Sequence, residues 1–116
     1  MNRESYILGC FLMDKSTHVF LPKIKSYWFD GWNKEIIEFM QISYLNNTPI
    51  DLVSLARQFK GKAYELSQFT NAYSYSSDLR HYLFELDIEH KKGSLIAKLS
   101  KLDTLNTLDV ILNDLQ

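Results

Sequence analysis

Residues 78–102 contain no proline and read as one long helix whose apolar residues change face partway along. Leu79, Tyr82, Leu83 and Leu86 fall on one stripe at helical spacing. Phe84, Ile88, Leu95, Leu99 and Leu102 fall on a second, displaced one. Asp103 and Thr104 can cap a new turn, after which Leu105, Leu108, Leu112 and Leu115 follow at spacings of three, four and three. That is a narrow coiled-coil-like seam. Ser76 and Ser77 are suited to cap the first arm, so residues 76–116 are expected to form a helical hairpin. One apolar seam closes such a hairpin, and two stripes are more than it needs. The spare face must meet the other helices of the chain or another molecule.

The other residues read as short helices without strand-type alternation. A first is expected over 3–13, with Gly9 inside it at a cost of ~0.5–1 kcal/mol against alanine; a neighbouring helix crossing close would explain the glycine. A second spans about 16–26, kinked or split by Pro22. A third spans 31–46, capped by Asp30 and ended at Asn46-Asn47, since asparagine tolerates the left-handed conformation. In Thr48-Pro49-Ile50-Asp51, proline holds Thr48 extended, Ile50 serves as a hydrophobic staple and Asp51 caps a helix over 52–60. Gly61 stops that helix at C′, and a last short helix covers 62–71. At 116 residues with 46% apolar side chains, this is one domain with enough material for a core of its own. The expected fold is all-α: a compact bundle of about five short helices over residues 1–75, followed by a long C-terminal helical hairpin over 76–116.

Charge and motifs exclude several functions. The formal net charge is −1, and Lys23/Lys25, Lys60/Lys62 and Lys91/Lys92 are scattered solvated pairs. Strong direct nucleic-acid binding is therefore not expected, because it needs a clustered basic stripe. The lone cysteine, Cys10, sits in an apolar run and reads as a small core residue, which suits a reducing cytoplasm. No apolar run approaches the ~20 residues of a membrane span. Neither a P-loop nor a G-x-G-x-x-G or G-x-S-x-G motif occurs. Asp78, His81 and Glu85 would share one helical face, but with no fourth ligand indicated they read as a solvated face instead of a zinc site. No enzyme, cofactor or metal is expected.

The order of signals resembles a known family. Glu4, Leu8-Gly9, Leu12 and Asp14 are similar to the opening of the N-terminal domain of DnaB-type replicative helicases. Phe29 with Ile36, Ile37 and Phe39 resembles that family's third-helix pattern. Asn47-Thr48-Pro49-Ile50-Asp51-Leu52 with Ser54-Leu55-Ala56 resembles its Pro-Ile-Asp turn and helix, and Leu66 with residues 76–86 its approach to the hairpin. The segment between Gly61 and Leu66 is shorter than the family's loop, Gly93 falls where the family's long helix would continue, and the ATPase motor is not among these residues. The resemblance implies an all-α bundle with a protruding hairpin that pairs between subunits and docks primase or a helicase loader, in a bacterium, phage or mobile element. The helicase-binding C-terminal domain of primase has a comparable architecture and is the alternative; a small helical nucleic-acid-binding regulator is a third.

Resemblance and surplus face together point to partner binding through Ile88, Leu95, Leu99 and Leu102 on the first arm and Leu108, Leu112 and Leu115 on the second. A row of leucines left in water forgoes ~1.5–3 kcal/mol of burial each. Isologous pairing of two hairpins would recover it as a homodimer or part of a higher oligomer. The bland alternative is that the earlier helices cover the second stripe completely.

Overall fold

The computed structural model describes the backbone of residues 2–105 and the side chains of residues 2–99. Every regular element among them is helical: α1 (Arg3–Met13), a 3₁₀ segment (Lys15–Lys23), a single 3₁₀ turn (Ser26–Trp28), α2 (Trp32–Leu45), α3 (Leu52–Gln58), α4 (Ala63–Asn71) and α5 (Leu79–Leu105). The expected all-α bundle is what forms. Two units are distinguished within the chain, Met1–Phe84 and Glu85–Gln116.

In the first unit α1 is the central element. Tyr6, Ile7, Leu8, Gly9, Cys10 and Phe11 are all buried, so the helix is enclosed on every side, as an all-round apolar helix must be. Asn2 caps it by accepting from the Glu4 and Ser5 amides. Packing of α1 against α4 is set by Gly9. A Cβ there would collide with the Phe69 carbonyl oxygen and lie 3.3 Å from Tyr73 Cβ. The close crossing expected from the glycine is thus present. Leu21, Ile36, Ile37, Met40, Leu55, Leu66 and Leu79 complete the core. Over it, Trp32, Phe39, Phe59 and Phe69 link α2, the end of α3 and α4 through ring centroids 5.9 Å apart.

The turn between α2 and α3 follows its sequence closely. Asn47 has φ 55, and the amides of Asn47 and Thr48 donate back to the carbonyls of Tyr44 and Ser43, the paired bonds of a Schellman ending. Asp51 then caps α3, its carboxylate accepting the Ser54 amide at 2.8 Å, with Ile50 and Leu55 both buried.

Five local expectations are corrected. The segment expected as a helix over 16–26 is 3₁₀ instead, capped by Asp14 and containing Pro22. Its loose carbonyls at Leu21 and Ile24 are satisfied by the Gln41 side-chain amide at 3.0 and 2.9 Å. Asp30 does not cap α2. Gly31, at φ 58, holds that position without a side-chain bond, and the Asp30 amide donates to Glu4. Helix α3 ends at Gln58 with Phe59 as its C-cap. Gly61, at φ 80, instead serves the turn closed by the Lys62 amide on the Phe59 carbonyl, where positive φ is required. Neither Ser76 nor Ser77 stands at the cap of α5, which begins at Leu79 and so puts Asp78 there; the Ser76 hydroxyl donates to Asp14 at 2.6 Å, and the Asp78 carbonyl accepts the Tyr82 amide in the first turn. Finally, α5 runs straight through Asp103 and Thr104 to Leu105. The first arm does not turn there, and the second arm with Leu108, Leu112 and Leu115 lies outside the described residues.

Candidate interaction surface

Along α5 the two stripes have opposite fates. Leu79, Leu83 and Leu86 are buried, whereas Phe84 is 61% exposed, Leu95 57%, Ile96 62% and Leu99 46%. At 100° per residue the exposed set lies across the helix from the buried one. Every residue from Lys91 to Leu99 is exposed. Of the residues expected to bind a partner, Leu95 and Leu99 share this open face and Ile88 is half-buried on it. Leu102 belongs to α5 by backbone, its side chain lying outside the described set. Ile96 belongs to the same patch and was not anticipated; its adjacency to Leu95 in sequence was the available signal.

Charges flank the row unevenly. Glu85, Asp87 and Glu89 precede Lys91, Lys92 and Lys98, and Lys91 bridges to Asp87 at i,i+4 over 3.0 Å. Such an exposed pair is worth only a few tenths of a kcal/mol, about 0.3–0.5. Gly93 has nothing within 4 Å of where a Cβ would stand. Unlike Gly9, it is not required by a close neighbour.

A second surface feature is a groove of about 610 Å³, lined among others by Met13, His18, Val19, Tyr44, Pro49 and Ile50. Its walls are the Schellman turn and the 3₁₀ segment, and His18 is turned to the backbone, its Nε2–H donating to the Phe11 carbonyl at 2.7 Å. Thr48-Pro49-Ile50-Asp51 therefore contributes a wall while its polar groups serve the fold.

The most chemically loaded cluster is where α1 meets the start of α5. The Tyr6 hydroxyl donates to the Tyr75 carbonyl at 2.6 Å and accepts the Asp78 amide at 3.3 Å. Burial, with Cys10 beside it, pushes Tyr6 up to about 12. Burial likewise pushes the Cys10 thiol up, against the pull of the Tyr6 and Ser76 hydroxyls. A raised thiol in the core is a poor nucleophile. Asp14 is held below the usual carboxylate range, first by the Ser16 hydroxyl and then by that of Ser76. These groups lock residues 14, 75, 76 and 78 to α1. They form a structural junction.

Among the described residues, no group of three or more His, Cys, Asp and Glu side chains is placed to hold a metal ion, Asp78, His81 and Glu85 included. No helix among them is long and apolar enough to cross a membrane. Compared with protein-family models, curated proteins and solved structures, the chain matches none.

Proposed function

We propose that this protein is a non-catalytic interaction module of the cytoplasmic replication machinery. It would self-associate through the exposed face of α5 and dock primase or a helicase loader, as the N-terminal domain of DnaB-type helicases does. The observation that carries the proposal is the row Leu95, Ile96 and Leu99, left exposed on a helix whose buried side chains, Leu79, Leu83 and Leu86, belong to its first turns. Three such side chains, about half exposed, forgo part of the ~1.5–3 kcal/mol that full burial of each gives, a penalty that association reduces.

The residues behind the family resemblance support its architectural half. Glu4 accepts the Asp30 amide and the Asn33 side-chain amide at 3.1 and 3.0 Å. Gly9 sets a helix crossing, Asp14 receives Ser76, and Asp51 caps α3. Each is a joint of the fold, so the resemblance bears on shape more directly than on partner.

A binding titration against the helicase-binding region of a bacterial primase, with a helicase loader in a parallel arm, tests the partner. Saturable binding to either, weakened by Leu95→Glu with Leu99→Glu, is expected. Failure with both, together with salt-sensitive binding to single- or double-stranded DNA, would replace this reading with that of a nucleic-acid-binding regulator.

A further inference from the structure

We infer that the occupant of the α5 face is a second copy of this chain lying antiparallel to the first, with the two-fold axis passing between Gly93 and Ser94. The inference rests on the self-association proposed above and adds its direction and register.

The row is interrupted by one charge. Ile88, Lys92, Leu95 and Leu99 follow at spacings of four, three and four, which is the spacing of a two-helix seam. A parallel, in-register pair would set Lys92 against Lys92 in the middle of that seam and the flanking Glu85 against Glu85. Like charges meeting directly across a seam oppose assembly. An antiparallel pair about 93/94 sets Ile88 against Leu99 of the other copy, and Lys92 against Leu95. The methylene stem of Lys92 can then lie along leucine while its ammonium reaches water.

Charge along the helix selects the same direction. Glu85, Asp87 and Glu89 come first, then Lys91, Lys92, Lys98 and, in sequence, Lys101. By formal charge, Glu85, Asp87 and Glu89 outnumber Lys91 and Lys92 before Gly93, whereas Lys98 and Lys101 follow it, and the Asp87–Lys91 bridge lies within the first block. Reversing the second copy brings residues 85–89 of each level with residues 98–102 of its mate, so that acid faces base at both ends. A parallel pair repeats each block against itself.

Two measurements on the full chain test this. In a Cys10→Ala background, proteins carrying Ile88→Cys and Leu99→Cys are oxidised separately and mixed. A disulfide needs Cα atoms within about 7 Å, and in the antiparallel pair each new cysteine lies roughly 16 Å along the axis from its own copy, at ~1.5 Å per residue. The mixture should cross-link and neither protein alone should. Second, without any substitution, raising salt should weaken the association, because screening removes attraction between opposite blocks. Self-linking of each single-cysteine protein, or association that tightens with salt, would overturn the antiparallel arrangement while leaving self-association standing. A wild-type protein that sediments as a monomer throughout would remove both.

Discussion

Gly9 and Gly93 both stand inside helices, and they are there for different reasons. At Gly9 the backbone of α4 runs so close that no side chain fits. At Gly93 the surroundings are empty. The same contrast holds for the apolar residues. In the first unit α1 is enclosed through Tyr6–Phe11, while on α5 Leu95, Ile96 and Leu99 stay open. The polar groups differ as well. Tyr6, Asp14 and Gln41 each serve backbone or side chains far away in sequence, whereas Lys91 and Asp87 meet only along their own helix. Helix α1 is thus enclosed, although its unit also leaves Ile42, Leu45, Val53 and Tyr64 exposed, and the open stretch of α5 has its apolar side still to satisfy.

Substitutions should separate the two regions, and the largest effect belongs to the first. Gly9→Ala drives a methyl into the Phe69 carbonyl and should cost ~3 kcal/mol, at the upper end for overpacking, read as a lowered midpoint in urea. A loss below ~1 kcal/mol would mean that α1 and α4 can separate freely. Next is Tyr6→Phe, which orphans the Tyr75 carbonyl and the Asp78 amide and should cost ~1–3 kcal/mol. It should also abolish an alkaline transition. Since Tyr6 is raised in the folded state to about 12, its contribution is complete below ~10 and lost as pH climbs through the folded value.

Asp51→Ala should cost ~0.5–2 kcal/mol through the lost cap and leave association unchanged in the folded fraction. Its carboxylate is lowered, first by the Ser54 amide and then by the Ser54 hydroxyl. The cap therefore contributes fully above ~3.9 and fades as pH falls through the folded value. Acid titration of the variant should show a shallower loss than the wild type. The smallest effect, and one of opposite sign, is Gly93→Ala. With open space around it, alanine should raise helix content and stability by ~0.5–1 kcal/mol, measured by circular dichroism. The same substitution thus destabilises one region and stabilises the other. Equal signs at the two glycines would break the comparison.

What could be read from sequence follows the same division. Features governed by neighbours within one turn were legible: the bounds of α1, the left-handed Asn47 and the Asp51 cap. Features decided by distant competition were not. Ser76 has the chemistry of a cap, but α5 begins only at Leu79, and the Ser76 hydroxyl donates to Asp14, 62 residues earlier. Asp30 has it too, but Gly31 supplies a backbone angle that aspartate adopts only reluctantly. Asp103 and Thr104 can cap a helix, yet nothing obliges an unbroken α5 to stop there. The displaced stripe was visible from its spacing, because a helix carries its own period. Its exposure depended on what the rest of the chain leaves uncovered.

Sedimentation velocity of the wild-type protein over a wide concentration range, beside the Leu95→Glu, Leu99→Glu double variant, tests the central claim most directly. The open face of α5 predicts a wild type that is dimeric or larger at micromolar concentration. The variant should be a monomer with undiminished helix content and thermal stability. A wild type that remains monomeric at high micromolar concentration and cannot be told from the variant would contradict it.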